Sequence, residues 1–234
     1  MRVDDFRRSG IAFYAGYLDH RGGIFEGLTS VEARVYAAAV PAGARIALIG
    51  CGSGRDLLPM VAAGHEVVGI EPAAQPLATL TELLAERQQT AHLIHGFVED
   101  VALPGSFDTI ILSPHCYSQM PDSSRRIALL GRLASHLRPN GCLIVNYLHR
   151  TGTWSQAGRR IARAVGRLCG SDVPWEPYDV VHLVEHGWSG TLLFEHFFLP
   201  EELHEEAARA GLGRAPGVQF APVAGIAVVA RGTD

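Results

Sequence analysis

The chain has 234 residues, a formal net charge of −4, 47% hydrophobic residues and 19% charged ones. That balance gives an ordinary globular protein with a real core, and it excludes a disordered chain. It also lacks the concentrated positive surface of a nucleic-acid partner; the one basic cluster, Arg159, Arg160, Arg163 and Arg167, reads as the solvated face of a helix.

The start, MRVDDFRRSG, is too charged for a secretory signal, and no apolar run approaches the ~18 residues of a membrane span. Cys51, Cys116, Cys142 and Cys169 form no CxxC pair and suit a reducing compartment. The expectation is a cytoplasmic protein with no membrane partner.

Residues 1–40 read as helices ahead of the core, broken at Gly22-Gly23. Regular alternation begins at 44–49, a short apolar strand, followed by a helix over 55–63 that Gly64 closes. A strand at 66–70, a helix at 75–87 and a strand at 91–98 come next, then a fourth strand, FDTIIL, at 107–112. Asp122 or Ser123 caps a helix carrying Ile127, Leu130, Leu133 and Leu137, which Pro139-Asn140-Gly141 stops before a fifth strand at 142–147. Strands alternating with helices over short loops imply a parallel sheet with right-handed crossovers.

Beyond His149 the rhythm changes. A helix is expected over 157–168, then a hairpin of 180–185 and 191–198 around GWSG. A helix at 200–210, ended by Gly211, and a final strand at 225–231 return to the core pattern. The expected organisation is a cofactor-binding core at 41–150 and 199–232, an N-terminal helical lid at 1–40 and a substrate-side insertion at 151–198.

Chemistry enters at ALIGCGSGRDLLPMVAAGHEVVGIEP. Three glycines between a strand and a helix leave free N–H groups and no Cβ atoms, so a ligand can press against the chain. Glu71 ends the second strand on the same side of the sheet, where a carboxylate accepts both hydroxyls of a ribose. Together these form a nucleoside-binding device at the switch point of a doubly wound sheet. A dinucleotide site asks for G-x-G-x-x-G, but Arg55 stands where its third glycine would be. A nicotinamide-dependent reductase is therefore the lesser alternative.

The GxGxG form, with VVGIEP, HGFVED, FDTIILS and LRPNGCLIVNY in order, resembles the class I S-adenosylmethionine-dependent methyltransferases; FEHFFLPEELHEEAARAGL resembles the segment before their last strand pair. The resemblance implies a Rossmann-like sheet, mostly parallel with a reversed last strand. It implies S-adenosyl-L-methionine as cofactor and S-adenosyl-L-homocysteine as product. By the same resemblance Gly50, Cys51, Gly52, Ser53 and Gly54 cradle the methionine and ribose, and Glu71 holds the ribose hydroxyls. Pro72 and Ala73 lie beside the adenine, which Phe97 and Val98 flank. Phe97 cannot bind the adenine amino group as the aspartate of many relatives does, leaving Glu99 or a backbone carbonyl. Ser113 faces the methionine end. Leu48 replaces the acid that many relatives carry before the first glycine. Asp56, in a GCGxGxD variant resembling thiopurine methyltransferases, either recognises the methionine ammonium or complements the helix N-terminus.

Methyl transfer from a sulfonium needs an aligned nucleophile in a dry pocket, and an oxygen acceptor also benefits from a base. In SPHCYSQMP, past the fourth strand, His115 is the first candidate and Tyr117 lies nearby; His149 is second, and packing is the alternative for each. His196 matches a recurring histidine of the family, with contacting substrate and bracing the added elements both open. Tyr14, Tyr17, Trp154, Trp175 and Trp188 are candidates for an aromatic pocket or a local core. His182, His186 and His196 lack ligand spacing with an acid, so no metal is expected. SPHCY resembles the [DNS]-P-P-[YFW] loop of base-methylating enzymes, but His115 replaces the second proline, which counts against nucleic acid as substrate. The expected function is methyl transfer to a small organic acceptor, oxygen or nitrogen rather than carbon, with a non-catalytic cofactor-binding protein as the alternative.

Overall fold

A computed structural model of the chain describes residues 2–17, 27–113, 115–150, 174–186, 189–215 and 225–231; of residues 16, 17, 182–186, 189, 190 and 200 it describes the backbone alone. The expected helix at 157–168, the four clustered arginines, Cys169, Trp154 and Trp188 lie outside the described residues.

Among the described residues two helices precede the core, α1 (Val3–Tyr17) and α2 (Ser30–Ala39). The second begins in a capping box, Thr29 and Glu32 each bonding the other's backbone N–H. The core follows as β1 (Arg45–Ile49), α3 (Leu57–Ala62), β2 (Glu66–Glu71), α4 (Ala74–Glu86), β3 (His92–His95), β4 (Phe107–Leu112), α5 (Ser123–Ser135) and β5 (Leu137–Asn146). A hairpin of β6 (Asp179–His186) and β7 (Ser189–His196) intervenes before α6 (Pro200–Arg209), β8 (Leu212–Arg214) and β9 (Ile226–Arg231).

The main sheet has seven strands in the order β3-β2-β1-β4-β5-β9-β8. β3, β2, β1, β4 and β5 are parallel neighbours, whereas β9 runs antiparallel between β5 and β8. The reversed strand is thus the last in sequence but not the edge of the sheet.

Strand alternation divides the core between the two faces. Ala47, Ile49, Ile110, Leu112, Leu143 and Val145 pack with Leu130 and Leu133 of α5 and Leu203 of α6. Ile46, Leu48, Ile111 and Ile144 pack with Val35 of α2, Leu57 of α3 and Leu80 of α4. Helices on both faces explain why these strands read as continuous apolar runs.

Element boundaries differ from the sequence pattern in several places, among them β7, which runs two residues earlier than the expected 191–198. α5 ends at Ser135, so Leu137 belongs to β5, and Pro139–Gly141 interrupts the strand pairing instead of preceding the strand. Asn140 has φ +64 there, and a Cβ on Gly141 would come within 3.0 Å of two carbonyl oxygens, so the chain bulges and resumes. β3 stops at His95 because Gly96 breaks it, placing Phe97 and Val98 in a turn. β8 has three residues and no apolar period of its own. Asp122 does cap α5, through Ser124 N–H.

The hairpin is fastened to the sheet's C-terminal side. Ser118 accepts from His196 N–H at its carbonyl (2.7 Å) and from Leu148 N–H at its hydroxyl (2.8 Å). α1 packs on β7, with Phe6 and Phe194 rings 5.0 Å apart. Among the described residues no helix is long and apolar enough to cross a membrane.

Candidate active site

β1 and β4 are neighbours whose connections leave in opposite directions, so their C-terminal ends leave a crevice. The glycine turn forms one wall. Gly50 and Cys51 N–H both donate to Ile70 O, at 2.8 and 3.1 Å, and Gly54 N–H donates to Cys51 O. Gly50 sits at φ +74, and a Cβ there would lie 2.1 Å from Cys116 Sγ and 2.7 Å from Ser113 Oγ. A side chain is excluded both by backbone geometry and by its neighbours.

Glu71 closes the turn from the next strand. Its carboxylate accepts from Gly52 N–H at 3.0 Å and from Ala73 N–H at 2.9 Å, one per oxygen, and the residue is 6% exposed. Each oxygen keeps a lone pair for a further donor. Burial pushes the carboxyl above the usual carboxylate range even against those two bonds.

Asp56 caps the wall from the other side. It is buried, accepting from Arg55 Nε at 2.6 Å and from the Tyr36 hydroxyl at 3.4 Å; its carboxyl is raised by burial against the pull of Arg55. Arg55 reaches on to Glu32 at 2.7 Å, and Asn146 donates to Tyr36 and to Leu112 O. Asp56 makes no side-chain cap to α3. It belongs to a chain of polar groups running from α2 to β5.

A cavity of about 400 Å³ lies among these residues, roofed by α1 through Phe6, Arg7, Ile11 and Tyr14. Its wall includes Gly50–Ser53, Asp56, Glu71, Pro72, Phe97, Val98 and Ser113. Ala73 is buried behind Pro72 and contributes its N–H to Glu71. On the expected adenine side, Arg7 lies 4.5 Å from the Phe97 ring centre and pairs with Glu99 at 2.9 Å and Asp100 at 3.0 Å, tying α1 to the turn after β3.

The opposite end holds Ser113, His115, Cys116 and Gln119. Ser113 donates to Gly50 O at 2.6 Å and neighbours Cys116 Sγ at 3.3 Å. Burial pushes the Cys116 thiol up to about 12, so it stays protonated at neutral pH. Gln119 donates to the Tyr14 hydroxyl at 2.8 Å. His115 has φ +73, and its Nδ1 lies 3.2 Å from Glu195 Oε1, a carboxylate 8% exposed.

Several candidates lie elsewhere: Gly54 is absent from the cavity wall, a Cβ there meeting Leu80 and Leu58 of the core, and Trp175 packs on Phe194 outside the cavity. Tyr117 and His196 are wholly buried and, like His149, are absent from the cavity wall. Tyr117 donates to Glu206, which pairs with fully buried Arg126. His196 sits between Asp179 at 2.6 Å and Glu202 at 3.0 Å, and His149 makes a bridge to Phe198. These residues brace the hairpin and α6 against α5. Tyr17 lies in α1 with only its backbone described.

Glu176, Asp179 and His196 bring donor atoms within 4.8 Å of one another, the one such group among the described residues. Arg126 already takes Glu176 at 2.7 Å, and His196 takes Asp179, so internal hydrogen bonds and a guanidinium charge do what a cation would do. The side chains of His182 and His186 lie outside the described residues.

Sequence reasoning missed Arg7, Arg55, Gln119 and Glu195. Arg55 was legible beside Asp56; the others are brought in by tertiary contacts across 92, 105 and 80 positions of chain.

Sheet order, glycine turn and acidic strand end define a class I methyltransferase fold with a crevice at the ends of β1 and β4. Residues 48–143 match the methyltransferase domain family. Over 187 residues the chain is 30% identical to a ubiquinone biosynthesis O-methyltransferase of Nitrobacter winogradskyi, covering 77% of this chain and 62% of that protein. Among solved structures it is similar to the CcbJ methyltransferase of Streptomyces caelestis (TM-score 0.62, 16% identity, 86% and 88% of the two chains). It is also similar to the glycopeptide N-methyltransferase MtfA in complex with S-adenosyl-L-homocysteine (TM-score 0.59, 20% identity, 85% and 86%). The chain thus has a methyltransferase fold, with residues 48–143 matching a methyltransferase domain, and it spans about 62% of the length of the Nitrobacter relative.

Proposed function

We propose that the protein transfers a methyl group from S-adenosylmethionine to a small organic acceptor, through oxygen or nitrogen rather than carbon, with His115 as the base. The observation that supports this reading most is the continuity of one cavity from the Glu71 carboxylate to His115. The turn at 50–54 and Glu71 would hold the adenosine and methionine, with Asp56 near the amino-acid end. The roof helix α1 would exclude water, acting as a lid. The sulfonium supplies the activated methyl, and the chain's own task is to place an acceptor in line with it and take its proton.

The test uses methyl-labelled S-adenosylmethionine with a panel of phenols, catechols, carboxylic acids and amines. Label should pass to at least one acceptor, and His115→Ala should lower turnover about tenfold or more while adenosylhomocysteine affinity stays within about twofold. Tight adenosylhomocysteine binding with no transfer to any acceptor would instead mark a non-catalytic binding protein. Near-normal turnover of the variant would remove His115 from the mechanism.

A further inference from the structure

We infer that Glu195 is the positioning residue that makes His115 a base, and that the pair serves an acceptor reacting through an O–H group. This rests on the cavity being a methyl-transfer site, and it adds a residue from the β6–β7 hairpin to that site.

The geometry is fixed from both sides. Glu195 is buried on β7, and its Oε1 lies 3.2 Å from His115 Nδ1. The next residue on β7, His196, donates its N–H to Ser118 O at 2.7 Å, so the loop bearing His115 is bolted to the strand bearing Glu195. The loop is also closed internally by Gln119 N–H donating to His115 O at 2.8 Å. His115 itself holds a left-handed backbone conformation, strained for a histidine, which persists only because its surroundings enforce it.

A neutral histidine has one N–H and one bare nitrogen. With Nδ1 donating to the Glu195 carboxylate, Nε2 is left as the proton acceptor, and the ring plane is set by a strand instead of a mobile loop. The step balances as follows. An oxygen lone pair of the acceptor attacks the methyl carbon, the S–CH₃ bond breaks, and its electron pair returns to sulfur as a neutral thioether. The acceptor proton passes to Nε2, the imidazolium is stabilised by Glu195, and the half-exposed ring then yields that proton to water. An O–H acceptor keeps its lone pairs while protonated. Such a base helps an O–H acceptor most, because losing its proton raises the oxygen's nucleophilicity, whereas a neutral amine attacks through its own lone pair and sheds its proton afterwards.

The tautomer gives a readout that needs no acceptor. In protein with ¹⁵N-labelled histidine and bound adenosylhomocysteine, neutral His115 should show the Nδ1–H pattern, assigned by its loss in His115→Ala. Glu195→Gln keeps an acceptor oxygen and should keep that pattern, while Glu195→Ala should lose it. An Nε2–H pattern in the native protein, or no change in Glu195→Ala, overturns the positioning role. The second arm follows catechol, 4-nitrophenol and benzylamine with labelled cofactor. Methylation of a phenol, with kcat falling about tenfold to a hundredfold in Glu195→Gln at unchanged KM for the cofactor, is the expected result. Transfer to benzylamine but to neither phenol overturns the O–H assignment while leaving the tautomer result to stand by itself. Unchanged kcat in Glu195→Gln overturns the positioning role even if phenols are methylated.

Discussion

Glu71→Ala removes both acceptor oxygens that face the crevice, and the structure allows its effect to be worked out. A hydrogen bond to a charged group contributes about 1.5–3 kcal/mol, so two ribose hydroxyls on this carboxylate contribute about 3–6 kcal/mol. Gly52 and Ala73 N–H lose their partner in the variant and can turn to water or to a ribose oxygen, which recovers part of that. The low end is the better expectation, a loss of about a hundredfold in adenosylhomocysteine affinity by titration calorimetry. The free protein should melt within a few degrees of the native one, because burying this carboxylate already costs enough to raise its pKa. The same shift gives a pH signature. Ribose hydroxyls donate fully only to the ionised form, so affinity should hold above the raised pKa and fall as pH drops through it toward 4.5. Glu71→Gln, which cannot titrate, should lose that dependence. An affinity for Glu71→Ala within about threefold of native would refute the reading of the crevice.

Two further outcomes concern the brace beneath the site. Arg126→Met leaves Glu206 buried without its cation, so chemical denaturation should show a loss of about 3–5 kcal/mol with adenosylhomocysteine affinity unchanged. For His196, burial opposes the charge, but the hydrogen bonds to Asp179 and Glu202 outweigh it and raise the pKa above 6.5. Its stabilisation is therefore complete below that value and is lost as pH rises through the raised one. The stability difference between native protein and His196→Gln should shrink over that rise, and a pH-independent difference would count against a charged His196.

The crevice wall proposed for the cofactor was legible because local sequence builds it. Gly50 must be glycine for a reason visible in GCGSG, and Glu71 meets Gly52 across 19 positions and Ala73 across two. The sheet was legible for the same reason, since each buried strand carries its own apolar run. What failed were positions where a tertiary contact overrode a local pattern. Leu137 fits the helical period of α5 but enters β5, and Val98 leaves the strand pattern of β3 after Gly96; of the two readings open for the histidine of FEHFF, its contacts with Asp179 and Glu202 fit bracing. Nothing near Glu195 in sequence announces a partner 80 positions away.

That division carries a physical consequence. The proposed nucleoside grip is made of backbone groups and the Glu71 carboxylate within one β-α-β unit, so it should survive changes that leave the turn at 50–54 and Glu71 intact. The proposed acceptor end is lined by side chains from α1 and the loop after β4, with the β6–β7 hairpin behind them, joined by Gln119 to Tyr14 and by His115 to Glu195. Substitutions in α1 or the hairpin should therefore alter which acceptor reacts, and how fast, with little effect on cofactor affinity. The exception is Arg7, whose pairs with Glu99 and Asp100 and contact with Phe97 reach the adenine side.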